Sequence, residues 1–208
     1  MTPPAPAFSP AAERNKQPIL EALLQVLPAR GQALEIASGT GQHVAWFAQH
    51  MPQWTWQPTD THADALHSIA AYAAESALVN VRQAVLLDVL RKPWLDGTEP
   101  EVQQFDAIYC ANMLHISPWE TCAALMQGSA LYLAPGGRLI TYGPYLEDDV
   151  PTSQGNRDFD QSLRSQNAAW GLRRREDVEA QAAQAGLHLM QRIAMPANNL
   201  LLLWGRGP

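Results

Sequence analysis

Between residues 19 and 27 apolar side chains recur at Ile19, Leu20, Leu23, Leu24 and Leu27, the spacing of a helix with one buried face. Upstream, Ser9 and Pro10 resemble an N-cap and first helical position; Pro18 is expected to end or kink that turn and restart a helix that Pro28 stops. The period then changes. ALEIA (33–37) is a short, continuous apolar run closed by SGTG, which predicts a buried strand entering a glycine-rich turn. A helix from about Gln42 to Met51 follows, then WTWQPTD as a strand, a helix from about Ala63 to Glu75, and VRQAVLLDV as a strand. A loop rich in Pro and Gly runs to about Gln104, and FDAIYCANM is the next strand. Pro118 opens a helix to about Leu133, and APGG turns the chain into the strand RLITYGPY.

Strands alternating with helices of this length imply an α/β, three-layer αβα sandwich around a mostly parallel sheet. The tail breaks the alternation. GLHLMQRIA and NLLLLWGR are separated only by MPAN, too short for a crossover helix, so an antiparallel hairpin is expected at one edge.

A chain of 208 residues is large enough for one domain with a full core, and residues 1–208 are read as such. The Pro-rich MTPPAPAFSP lacks the charged start and apolar stretch of a secretion signal, so residues 1–9 are read as a flexible leader. No apolar run approaches the ~18 residues of a membrane span. Cys110 and Cys122 are too few for a disulfide framework and suit a reducing, cytoplasmic setting. The net charge of -6 argues against an extended nucleic-acid groove. Arg173, Arg174 and Arg175 precede Glu176 and Asp177 and read as a solvated helix start. No metal site is expected: His62 and His67 are off helical spacing, and Glu147, Asp148 and Asp149 read as an acidic loop.

Parallel sheets bind ligands at the C-terminal ends of their strands, and Gly39 and Gly41 lie in the first such turn. A glycine pair can also simply make a tight turn. Asp60, about 20 residues on at the end of the second strand, is placed to accept both hydroxyls of a ribose. A full GxGxxG is lacking, since Val44 stands three after Gly41. EIASGTGQH resembles the first motif of class I S-adenosylmethionine-dependent methyltransferases. That resemblance implies a Rossmann-like, mostly parallel seven-stranded sheet with an antiparallel C-terminal strand. It assigns Glu35 to the methionine ammonium, Asp60 to the ribose and Asp88 to the adenine edge. Ala37 and Ser38 replace the first glycine of the usual pattern. Nearly the whole chain is also similar to domain-of-unknown-function family 938, through AAERNKQPIL, LEIASGTGQH, WQPTD, ANMLHISPW, LAPGGRLITYGPY, WGLRRREDV and MPANNLLLLW. This resemblance implies a fold and S-adenosyl-L-methionine as cofactor, and no substrate.

Asn112 and His115 follow the fourth strand, facing both methyl donor and acceptor in this fold; His115, with an ordinary pKa near ~6.5, is the candidate base. Tyr142 and Tyr145 end the fifth strand as candidate pocket residues, Tyr142 tentatively catalytic. Arg14, Asn15 and Lys16 form a polar cluster in an N-terminal segment expected to lie over the cofactor; Arg14 and Asn15 are candidate cofactor ligands. Asn198 and Asn199 read as turn formers, and Trp170 as a packing residue. The default reading is methyl transfer to a small molecule, with 143–172 and the N-terminal segment closing the pocket. The alternatives are a cofactor-binding regulatory protein without turnover and an NAD(P)-dependent reductase.

Overall fold

The computed structural model describes residues 6–95 and 103–207. Positions 1–5 of the expected leader and 96–102 of the expected loop lie outside the described residues. The elements in chain order are α1 (Pro10–Val26), β1 (Gly31–Ile36), α2 (Gln42–His50), β2 (Trp54–Asp60), α3 (Ala63–Glu75), β3 (Val85–Leu86) and β4 (Phe105–Ala111). Then come α4 (Glu120–Tyr132), β5 (Leu133–Leu146), α5 (Gln154–Gln166), β6 (Arg173–Arg174), α6 (Arg175–Gln184), β7 (Leu187–Met195) and β8 (Asn199–Arg206).

The sheet runs β3-β2-β1-β4-β5-β8-β7, with β6 added on β5 as an eighth short strand. Pairing is parallel from β3 to β5, and β8 is antiparallel to both β5 and β7. Leu200 to Trp204 show why the strands read as unbroken apolar runs. Leu200, Leu202 and Trp204 join the core under α4 and α6, while Leu201 and Leu203 join the opposite core under α1 and α2. A strand covered on both faces has no solvent face to make polar. No helix of the described residues is long and apolar enough to cross a membrane.

Four local expectations are corrected. Helix α1 runs unbroken through Pro18, with Ser9 as its cap and Ile19, Leu20, Ala22 and Leu23 buried, while Leu24 faces solvent. Burial of that face offsets the ~3 kcal/mol that an interior proline costs. The strand expected over 81–89 shrinks to β3 and an isolated bridge from Trp56 to Val81. Pro58 explains the gap. Trp56 uses its N–H and C=O toward this edge, bonding Asn80 and Arg82, so Pro58 also faces it and has no N–H to give. The Gln57 side chain instead donates to the carbonyl of Gln83 at 2.8 Å. APGG is a bulge inside β5, where Phe105 pairs with Leu133 but Ala107 with Arg138. Finally, the described end of the leader is tied down: Ala7 donates to Ser68 Oγ (2.8 Å) and Ser9 to Gln42 Oε1 (2.6 Å).

Candidate active site

A cleft of about 1090 Å³ opens over the C-terminal ends of β1, β2, β4 and β5. Glu35, Ala37, Ser38, Gly39, Asp60, Asp88, Asn112, His115, Tyr142, Arg14 and Asn15 all line it. Gly41 does not. At φ 89° it caps α2, and a Cβ there would stand 2.7 Å from the Ile69 backbone, so this glycine serves close packing of α3.

At the end of β1, Glu35 is 2% exposed and its Oε2 has no hydrogen-bond partner. Burial, reinforced by the neighbouring Asp60 charge, raises its pKa from 4.5 to about 8. Ala37 and Gly39 follow with φ of 55° and 57°. Ala37 thus adopts the left-handed backbone a glycine would take, and the turn survives the departure from pattern. A Cβ on Gly39 would meet nothing within 4 Å, so its open side is cleft. Asp60 receives the Gly39 N–H on Oδ2 (2.9 Å) and the His62 N–H on Oδ1 (3.0 Å). Those bonds fix the carboxylate and leave lone pairs on both oxygens. Ser38 ties the strand ends together, its N–H reaching Thr59 O (2.8 Å) and its Oγ receiving Thr59 N–H (3.2 Å). Asp88 caps Leu90 N–H (3.0 Å) between the buried Leu87 and Val89, which supply apolar wall.

On β4 and β5, Asn112 has a φ of 58° and donates its N–H to Tyr142 O (2.8 Å). His115 sits in a one-turn 3-10 helix (Leu114–Ile116), 6% exposed, with its ring edge-on to Phe159 at 5.5 Å. Its ring has no hydrogen-bond partner among the described residues. Burial and then the Arg173 charge lower its pKa to about 4, which corrects the expected value near neutrality: the ring is neutral, and a weaker base than an exposed histidine. Tyr145 turns away from the cleft and donates to Thr141 Oγ1 (2.9 Å).

Sequence reasoning missed His43. Its Nε2–H donates to Asn15 Oδ1 (2.6 Å) and its Nδ1 accepts from the Tyr109 hydroxyl (3.3 Å), which locks Asn15 and α1 over the cleft. Burial lowers its pKa to about 4. Asn15 also reaches the Tyr142 hydroxyl, while Lys16 is spent on Glu13 (2.6 Å) and the Trp46 face (4.4 Å). The signal was its place, two residues past Gly41 in the first turn of α2. Asn156 and Phe159 of α5 and Asn199 also line the cleft. Asn156 Nδ2 donates to Asn198 O (3.0 Å), so Asn198 does more than turn the chain. The arginine run is not a solvated helix start. Arg173 in β6 bonds backbone carbonyls, and Arg174 and Arg175 meet the acidic loop at Asp148 and Glu147, because β6 lies alongside the end of β5. Among the described residues no group of three or more His, Cys, Asp or Glu is placed to hold a metal ion.

Residues 6–206 match the profile described as "Protein of unknown function (DUF938)". The chain belongs to the DUF938 family. This DUF938 chain is also similar to solved methyltransferase structures. An O-methyltransferase family protein from Burkholderia thailandensis aligns with a TM-score of 0.78 at 19% identity, over 95% of this chain and 57% of that one. Human N-acetylserotonin methyltransferase in complex with S-adenosylmethionine gives 0.77 at 15%, over 95% and 53%. An O-methyltransferase family 2 protein from Planctomyces limnophilus in complex with apigenin gives 0.73 at 21%, over 92% and 62%. The DUF938 chain therefore spans somewhat over half the length of these proteins, and at these identities the likeness is one of fold.

Proposed function

We propose that this protein is an S-adenosylmethionine-dependent methyltransferase acting on a small-molecule acceptor, in the cytoplasm. The observation that carries the reading is the buried, unpartnered Glu35 carboxyl at the head of a cleft whose other acids, Asp60 and Asp88, follow at the next two strand ends. An ammonium is the partner such a carboxyl lacks. The fixed Asp60 oxygens suit a ribose diol, and Leu87 and Val89 suit an adenine ring.

The cofactor supplies a methyl group already activated on a sulfonium, so the protein's part is alignment, dehydration and electrostatics. Glu35 and the Ala37–Gly39 backbone hold the amino-acid end, and Arg14 on α1 is placed to meet a carboxylate. Asp60 and Asp88 hold the nucleoside. Asn112, His115 and Tyr142 border the acceptor, with the neutral His115 ring free to receive a hydrogen bond from it. Helices α1 and α5 cover the opening and exclude water. An open acceptor side favours turnover over a purely regulatory cofactor protein.

Calorimetric titration with S-adenosylmethionine and S-adenosylhomocysteine, with NAD as control, tests this. Micromolar binding of the first two and none of NAD is expected. Binding of NAD instead, or silence toward the adenosyl compounds, overturns the reading. Asp60→Ala is expected to weaken cofactor binding by about 10-fold or more, the loss of charge-assisted hydrogen bonds of ~1.5–3 kcal/mol.

A further inference from the structure

Arg173 stands apart from its neighbours in sequence. Its guanidinium donates to the carbonyls of Leu114 (2.9 Å), Ser117 (2.7 Å) and Ala169 (2.7 Å) and lies over the Trp119 ring at 5.5 Å. Among the described residues it has no carboxylate partner. Carbonyls orient a guanidinium without cancelling its charge. The nearest acids are otherwise engaged or exposed: Asp160 of α5 holds Arg164 (2.9 Å) and the Leu172 N–H (2.6 Å), and Glu120 opens α4 in solvent. The Cys122 thiol, raised to about 12, stays neutral, and Arg164 adds charge of the same sign.

That charge sits one side chain behind the acceptor. Arg173, His115, Tyr142 and Pro144 border an internal space of about 10 Å³, and the last three also face the large cleft. The cleft's acids lie at the other end, on β1, on β2 and after β3. The acceptor side over β4 and β5 is walled by uncharged groups: Asn112, Tyr142, Asn156, and the half-exposed apolar surfaces of Ile116 and Phe159.

We propose that Arg173 sets the acceptor class: the pocket takes an uncharged, ring-bearing molecule with a weakly acidic hydroxyl, of the phenol type, and the guanidinium favours its oxyanion. This rests on the methyl-transfer reading of the cleft. The hydroxyl proton leaves to solvent or to the neutral His115 ring, and the oxygen bonds the methyl carbon. The carbon–sulfur bond breaks with its electron pair on sulfur, giving an ether and a neutral thioether. Negative oxygen and positive sulfonium cancel. An amine acceptor would instead leave a cation in the product, facing Arg173, so amines are disfavoured.

The test uses 4-nitrophenol, whose phenolate absorbs visible light, titrated into protein first shown by calorimetry to be saturated with S-adenosylhomocysteine. The bound probe is expected to ionise about one pH unit below its free midpoint, a tenfold change in ionisation constant. Arg173→Gln is expected to abolish that shift and Arg173→Lys to keep part of it. 4-Nitrobenzylamine is expected to bind at least about tenfold more weakly. The wild-type spectrum decides the matter even where a variant fails to fold. If S-adenosylhomocysteine binds but 4-nitrophenol does not, or ionises at or above its free midpoint, this inference falls and the cofactor reading stands. If S-adenosylhomocysteine itself fails to bind, both fall.

Discussion

Ala37 holds a φ of 55°, a conformation that costs an alanine roughly 1–2 kcal/mol and a glycine almost nothing. The strain is local to the cleft: Asn112 and Ala197, at 58° and 59°, also line it, and Asn198 at 56° adjoins it. Strained backbone kept at one site is stability given over to geometry there. Ala37→Gly is therefore expected to stabilise the protein by up to about 1 kcal/mol, the strain relieved exceeding the ~0.5–1 kcal/mol entropy cost of a glycine. The reverse change four residues on has the opposite sign. Gly41→Ala adds a Cβ 2.7 Å from the Ile69 backbone at a φ of 89°, and should cost about 2–3 kcal/mol. Urea unfolding of both variants checks the pair; a stabilised Gly41→Ala protein would refute the packing role. Glu35, Asp60 and Asp88 were legible in the sequence because each ends a strand segment at a glycine or polar turn. His43 was not, because its partners Asn15 and Tyr109 come from different elements and no spacing rule joins them.

Helix α5 shows the same limit at the level of an element. Its sequence QGNRDFDQSLRSQ has no apolar stripe, and only Asn156 and Leu163 are buried. What holds it is remote in sequence: Asn156 reaches Asn198 O (3.0 Å) and Oδ1 (3.2 Å), Ser153 N–H reaches Asn198 Oδ1 (3.1 Å), and Asp160 receives the Leu172 N–H. The strands announced themselves through buried apolar runs, whereas this helix is set by polar bonds 12 to 45 residues apart. β3 fails for a related reason, since its missing rungs trace to Pro58 in the partner strand. An element with so little buried surface opens readily. Asn156→Ala removes about 1–2 kcal/mol of anchoring. Amide exchange should quicken across 154–166 while S-adenosylhomocysteine affinity stays unchanged, since neither cofactor acid touches α5. Exchange no faster than in the wild type would show that the Asn198 latch does not hold the helix.

Across the whole molecule, three buried groups set the pH response in opposite directions. His43 and His115 are held near 4, below the ~6.5 of an unfolded chain, so acid protonates the unfolded state first. The stability their neutral rings contribute is complete above about pH 6.5 and is lost as pH falls through about 4. Glu35, raised from 4.5 to about 8, has the opposite sign: its contribution is complete below about 4.5 and is lost as pH rises through about 8. The ligand-free protein should be most stable near pH 6–7, and Glu35→Gln should remove the alkaline loss while weakening cofactor binding. The same carboxyl makes the cofactor assignment measurable without turnover. At pH 7 the ligand-free Glu35 is mostly protonated, and an ammonium seated against it favours the carboxylate, so binding expels close to one proton. Calorimetry of S-adenosylhomocysteine binding in buffers of different ionisation enthalpy reads that proton as a slope. The slope should approach one proton near pH 7, vanish near pH 9.5 where Glu35 is already ionised, and be absent in Glu35→Gln at either pH. A slope that persists in Glu35→Gln would assign the proton to another group and remove Glu35 from the ammonium.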